Sequence, residues 1–269
     1  MVNEITFPKL GIDLKINSVA FNIGSKPIYW YALIILSGFI LAVLFCCKSG
    51  KKRGIKSDNL IDIGLYGLIF GLLGARIYYV LFDLKSFADN WLDVFKIWEG
   101  GLAIYGGLIG AVISAYVYCR KKNLNFLEIA DVCAPGLFIG QIIGRFGNFV
   151  NAEVYGHETA SIFGMSINGE APVHPLFLYE ALWNLAGLVI MLIFHDKKKS
   201  HGQVICFYAF WYGLGRMFLE CMRQSEYVLY IIDGVLAVSQ LVSAILIIAA
   251  SAFFVILSGK STARKVEDK

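Results

Sequence analysis

The stretch IYWYALIILSGFILAVLFCC, Ile28–Cys47, runs without a single charged residue, and it decides the class of fold. A helix needs about 20 mostly apolar residues to cross the hydrocarbon of a bilayer. Lys48, Lys51, Lys52, Arg53 and Lys56 follow directly, the kind of basic stop that marks a cytoplasmic flank. Further segments along the chain have the same character: Leu60–Phe82, Leu102–Cys119, Val132–Val150, Leu176–Phe194, Val204–Glu220 and Val235–Leu257. The third, fourth and sixth are laced with Gly and polar groups, so their ends are less sharply drawn. The whole chain is 58% hydrophobic and 16% charged, with 20 Phe. A soluble domain carries about 25% charged residues, so lipid is the expected solvent. The expectation is an all-α, polytopic membrane protein with about seven transmembrane helices, forming a single domain over residues 1–269. No signal peptide is expected, because the first apolar span starts late and no small-residue cleavage site closes it.

Basic residues alternate between loops. Arg120, Lys121 and Lys122 follow span three, Lys197, Lys198 and Lys199 follow span five, and Lys260, Arg264, Lys265 and Lys269 close the chain. The opposite loops hold Lys85 and Lys96, none in Asn151–Pro175, and Arg223. The positive-inside tendency places the N-terminus outside and the C-terminus in the cytoplasm, as an odd number of spans requires. The outer loop 151–175 is long enough for a small extracytoplasmic subdomain.

Several classes of function are disfavoured. Aromatics lie within apolar runs rather than among clustered Arg and Lys, so no nucleic-acid partner is expected. The six cysteines (46, 47, 119, 133, 206 and 221) contain no Cys-x-x-Cys and no His at ligand spacing. They read as small hydrophobes, and neither a metal nor another cofactor is expected.

Charge within a span costs about 2.5–3.5 kcal/mol on insertion scales, so intramembrane charge asks for a reason. Arg76 lies mid-span in GLLGARIYYVLF. Arg145 and Asn148 end span four in GQIIGRFGNFVNAEVYG, followed by Asn151 and Glu153. Glu180 opens span five, and Arg216 and Glu220 lie four apart in WYGLGRMFLECMR, on one helix face. Arginine offers fixed, paired donors suited to phosphate and stays charged when dehydrated. The residues point to a pocket for an anionic phospholipid headgroup, with Asn148 and Asn151 placed to orient glycerol hydroxyls. They do not choose the reaction.

The segment GRFGNFVNAEVYG, Gly144–Gly156, resembles the signature of the bacterial prolipoprotein diacylglyceryl transferase family. YWYA at Tyr29–Ala32, GARIYYV at Gly74–Val80, WEGGLAIYGGLIG at Trp98–Gly110, HPLFLYE at His174–Glu180 and GLGRMFLECMR at Gly213–Arg223 follow in family order. The resemblance implies a multi-pass enzyme of the bacterial plasma membrane, working as a monomer within the lipid bilayer. Its partners would be phosphatidylglycerol and lipobox-containing prolipoproteins. It would transfer diacylglyceryl to the lipobox cysteine, form a thioether and release glycerol 1-phosphate. Carried over residue by residue, the functional positions are Tyr31, Arg145, Glu153, Arg216 and Glu220, with Asn148, Asn151, Arg76, Gly156 and His174 on the substrate. The family's third-span His-Gly-Gly reads Tyr105-Gly106-Gly107 here. A phenol with an ordinary pKa of about 10 is a poor base near neutrality, so Tyr105 is read as a hydroxyl that positions lipid or thiol. Glu153 and Glu220 either aim the arginines or take the thiol proton. Rival readings are a transporter for an anionic metabolite, a metal-dependent phospholipid enzyme, a purely structural membrane protein and an inactive homologue.

Overall fold

Seven long helices occupy the seven apolar segments. They are α1 (Trp30–Lys51), α2 (Ser57–Phe82), α3 (Ile104–Lys121), α4 (Phe126–Asn151), α5 (Leu176–His195), α6 (Gln203–Glu220) and α7 (Val238–Glu267). The computed structural model describes residues 2–88, 90–195, 197–232 and 235–267, and for Glu99 and residues 260–267 the backbone only. Lys269 and the side chains of Lys260, Arg264 and Lys265, counted above in the basic C-terminus, lie outside the described residues. Among the described residues, five stretches are long and apolar enough to cross a membrane: α1, α2, α4, α5 and Val238–Gly259 of α7. The shorter α3 ends on Arg120 and Lys121, and α6 carries Arg216 and Glu220, which lowers the apolarity of both. Leu36, Leu41 and Leu44 of α1, and Ile69, Leu73 and Ile77 of α2, stand exposed. So much exposed apolar surface suits lipid rather than water, and the chain is a multi-pass membrane protein.

The expectation of an all-α chain needs one amendment. Four strands precede α1, namely β1 (Val2–Phe7), β2 (Ile12–Asn17), β3 (Val19–Ile23) and β4 (Lys26–Tyr29), and β5 (Ser166–Ile167) lies in the loop after α4. β6 (Tyr230–Ile232) and β7 (Leu236–Ala237) form a short hairpin before α7. β1 alternates, turning Asn3, Ile5 and Phe7 inward, the period-2 pattern of a half-buried strand. Its apolar face is covered from far along the chain: β1 pairs antiparallel with β2 and with β5. Ile5 and Phe7 pack with Met165, Ile167, Val173 and Phe177. The loop after α4 is thus a small subdomain with its own core, completed by the N-terminal strands.

The chain divides into two compact units, Met1–Phe45 with Ala130–Lys269, and Cys46–Ile129. In the first, α5 and α6 are locked by a reciprocal pair. Trp183 Nε1 donates to the Trp211 carbonyl at 3.1 Å, Trp211 Nε1 donates to the Trp183 carbonyl at 2.9 Å, and the rings stack at 4.7 Å. Each indole lies over a glycine of the opposite helix, Trp183 on Gly215 and Trp211 on Gly187, where a Cβ would collide. This register sets Glu180, one turn before Trp183, beside Arg216.

At the opposite end of these helices, α6 begins at Gly202, which has no side chain to cap it. Asp131 of α4 supplies the cap, accepting from the N–H groups of Gly202 (2.8 Å), Val204 (2.9 Å) and Ile205 (2.9 Å). Lys198 Nζ pairs with the same carboxylate at 2.6 Å. A carboxylate at a helix N-terminus meets orphan donors and a favourable dipole.

In the second unit α2 and α3 touch backbone to backbone. A Cβ at Gly106 would strike the Gly74 carbonyl, and one at Gly110 the Phe70 carbonyl. Small residues allow this approach in lipid. Arg76, buried on α2, donates Nε to the Val94 carbonyl (2.8 Å), Nη1 to the Gly100 and Gly101 carbonyls (2.8 and 3.0 Å) and Nη2 to the Asp93 carbonyl (2.6 Å). It is a clamp on the segment that joins α2 to α3.

Two outcomes follow. Asp131→Ala strands three N–H groups, two of them buried, and Lys198, and should lower stability by about 3–5 kcal/mol, read as an earlier melt in detergent. Arg76→Ala should speed amide exchange and proteolysis through residues 91–101 while leaving exchange in α5 and α6 unchanged.

Candidate active site

The ends of α4 and α6 and the start of α5 bring charged side chains together in the first unit. Arg145 and Asn148 lie three apart on α4, Arg216 and Glu220 four apart on α6, so each pair shares a face. Glu180, 7% exposed, is the hub. Its Oε2 meets Arg145 Nη2 at 2.5 Å, and its Oε1 meets Arg223 Nη2 at 2.8 Å and faces Arg216 Nη1 at 3.9 Å. Glu220, 5% exposed, pairs through Oε2 with Arg216 Nη2 at 2.9 Å and Arg223 Nε at 3.3 Å, and its Oε1 accepts from Ser239 Oγ at 2.6 Å. Three guanidiniums against two carboxylates leave this ion-paired core with one positive charge in excess.

The arginines are not equivalent. Arg223 is buried between the two glutamates, whereas the side chains of Arg145 and Arg216 retain 22% and 19% of their exposure. Both line a small cavity with Glu180, Trp183, Asn184, Tyr212, Gly215 and Leu219. A larger groove between α6 and α7, lined by Cys206, Phe207, Phe210, Ala250, Ser251, Phe254 and Val255, has no charged wall and offers nothing for chemistry. The first cavity has two guanidiniums, the Glu180 carboxylate and the Asn184 amide in its wall, and guanidiniums are suited donors for an anion.

Arg145 Nη1 donates to Asn148 Oδ1 at 3.3 Å, and Asn148 Nδ2 donates to Glu153 Oε1 at 2.9 Å. The Tyr31 ring of α1 packs on Gly147, where a Cβ would approach within 2.9 Å. Asn151 closes α4. Gly156 is an anchor point of the loop: it bridges to Arg223, its N–H bonds to the His174 carbonyl at 2.9 Å, and a Cβ there would strike the Met222 carbonyl. The neighbouring N–H of His157 bonds to the same Met222 carbonyl at 2.9 Å. His174 lies in this staple, its Nδ1 3.3 Å from the Tyr179 hydroxyl. Burial, and then the neighbouring His157, hold its imidazole below the usual value, so it is neutral near neutral pH.

Of the expected site residues, Tyr31, Arg145, Asn148, Asn151, Glu153, Gly156, His174, Arg216 and Glu220 belong to the first unit, and Arg76, Tyr105, Gly106 and Gly107 to the second. Arg76 is engaged by backbone carbonyls, and Gly106 is buried against α2. Tyr105 is half-buried in the first turn of α3. Two residues of the ion-paired core were not assigned from sequence. In the sequence Glu180 is a charge that opens a span and Arg223 a loop charge. The signal available for Arg223 was its spacing, three residues beyond Glu220, one helical turn on the same face.

Residues 18–256 match the family described as prolipoprotein diacylglyceryl transferase. The chain is 41% identical over 245 residues to the phosphatidylglycerol–prolipoprotein diacylglyceryl transferase of Lysinibacillus sphaericus, covering 86% of this chain and 89% of that one. It is 42% identical over 248 residues to the protein of the same name from Streptococcus equi subsp. zooepidemicus, with coverage of 88% and 94%. The one from Clostridioides difficile is 40% identical over 243 residues, with coverage of 90% and 96%.

Removing Glu180 tests the hub. Glu180→Ala leaves Arg145 and Arg223 without their shared partner and should lower the melting temperature in detergent. Glu180→Ala combined with Arg145→Ala should cost less than the sum of the single changes, with a coupling of about 1–3 kcal/mol.

Proposed function

We infer, because the chain belongs to the prolipoprotein diacylglyceryl transferase family, that it transfers the diacylglyceryl group of phosphatidylglycerol to the lipobox cysteine of prolipoproteins. This is the first step of bacterial lipoprotein maturation, and its products are the thioether-linked lipoprotein precursor and glycerol 1-phosphate. The observation that carries the reading is the pair Arg145 and Arg216 lining one cavity.

The reaction is a displacement at carbon. The peptide thiolate attacks the glycerol carbon bonded to the phosphate oxygen, the C–S bond forms, the C–O bond breaks, and the phosphate leaves with one more negative charge. Arg145 and Arg216 hold that phosphate, and their donors gain most where charge grows in the transition state. Asn148 orients the headgroup, with Asn151, Gly156 and His174 supporting it. Tyr31 backs the Arg145 helix at Gly147. Tyr105, with Gly106 and Gly107, positions lipid or thiol, and Arg76 acts by holding the 91–101 segment. Glu220 aims Arg216. The nucleophile is the substrate's own thiol, so none of the six cysteines is needed for it.

All seven helices cross the membrane in this reading, with the N-terminus outside and the C-terminus in the cytoplasm. The alternation of basic loops supports that orientation, and the family match running through both compact units supports one transferase domain. The membrane is the bacterial plasma membrane and the working form a monomer.

Purified protein mixed with phosphatidylglycerol liposomes and a lipobox peptide should add a diacylglyceryl mass to the Cys peptide and none to its Cys→Ser control, with EDTA present. Arg145→Ala and Arg216→Ala should each slow the transfer about 10²–10³-fold. A folded Arg145→Ala protein working at full rate would refute the phosphate-handling role.

A further inference from the structure

Two residues without a glycine's freedom sit in the left-handed region just after α4: Ala152 at φ 53° and Val154 at φ 57°. For a β-branched residue this is a genuine outlier. Between them stands Glu153. Its N–H reaches back to the Asn148 carbonyl at 3.0 Å, and that of Ala152 to the Phe149 carbonyl at 3.0 Å. This tight reversal aims the Glu153 carboxylate at the Asn148 amide. Strained backbone of this kind persists where the surroundings over-determine it, and it gathers at working sites.

The carboxylates around the arginines differ in what remains open on them. Glu180 is bound on both oxygens by guanidiniums. Glu220 is enclosed: its Oε1 accepts from Arg216 Nη2 and Ser239 Oγ, and its buried Oε2 faces the Arg216 and Arg223 guanidiniums. Among the described residues Glu153 makes no ion pair, and its Oε2 accepts from no donor. It is half-buried, two hydrogen bonds from the Arg145 guanidinium through Asn148. The Tyr31 hydroxyl of α1 lies within electrostatic reach of both Glu153 and Arg145.

We propose that Glu153 is the general base that takes the proton from the lipobox thiol, a reading that rests on the transferase function above. The S–H proton passes to Glu153 Oε2. The thiolate's electron pair forms the C–S bond, and the C–O pair leaves with the phosphate of glycerol 1-phosphate. Glu153 then returns the proton to water. The timing has an electrostatic benefit. Protonation removes one negative charge beside Arg145 as the leaving phosphate acquires one, so the arginines meet the growing charge with less competition. Proton acceptance thereby falls to a residue on the same helix end as the phosphate-binding arginine, and the phenol at position 105 is left with positioning alone.

The test replaces the need for a base instead of only removing it. Glu153→Gln is assayed with the Cys lipobox peptide and with the same peptide carrying selenocysteine, whose selenol is already ionised at neutral pH. With the Cys peptide, kcat should fall about 10²–10⁴-fold, with KM for phosphatidylglycerol changed little. With the selenocysteine peptide, the variant should work within about tenfold of the unchanged protein, because the step that general-base catalysis assists is already complete. Arg145→Ala should remain slow with both peptides. Glu153→Asp, which keeps a carboxylate one methylene short, should show the same selective recovery and is read in place of Glu153→Gln if the latter melts without cooperativity. Equal losses with both peptides, or full activity of Glu153→Gln with the Cys peptide, would overturn the base assignment. Failure of the unchanged protein on both peptides would instead strike down the transferase reading.

Discussion

A single buried carboxylate, Glu180, organises the charged end of the first unit. It sits at the start of α5 yet holds Arg145 of α4 and Arg223 beyond α6, and faces Arg216 within α6. A buried carboxylate is costly to desolvate, and removing one of its partners is strongly destabilising. The helices must therefore be packed in register before the charges can be tolerated, and once packed they cannot slide. The Trp183–Trp211 lock and its two glycines set that register one turn from the carboxylate. Apolar packing and ion pairing thus specify the same arrangement of α4, α5 and α6.

Two arginines illustrate how little a residue type says by itself. Arg76 and Arg145 both stand in Gly-containing helices where a charge is out of place. Arg76 is satisfied by four backbone carbonyls of a neighbouring segment, neutral partners that occupy four of its five donors. Arg145 is held by a carboxylate and an amide, and its side chain keeps 22% of its exposure. The first is architecture, and the second is available for chemistry. The difference lies in the partners, and the partners come from distant parts of the chain.

That contrast also explains what could be read in advance. Helix positions were legible because lipid imposes a length and an apolarity that a 20-residue window shows directly, and all seven long helices fall where the apolar segments lie. Arg145, Asn148, Arg216 and Glu220 were legible because their charge stands out against that background at helical spacing. β1 was not, although Ile5 and Phe7 alternate, because a short strand gains meaning only from what covers it, here residues 165–177. Glu180 was visible as a charge but not as a hub, since its role is defined by residues 35 positions before it and 36 and 43 after it. Asp131 capping a helix 71 residues onward is a feature of the same kind.

The pairing of β1 with β5 also shapes biogenesis. Ile5 is synthesised 162 positions before Ile167, its partner in the sheet, with four long helices made in between. The β1–β2 hairpin can form at once, but its buried face, Ile5 and Phe7, has nothing to cover it until the loop after α4 has also emerged. Such non-local closure is slow compared with helix formation. The N-terminal hairpin is consequently the last part of its subdomain to be shielded although the first to be made. Until then Ile5 and Phe7 form an apolar face without its native cover.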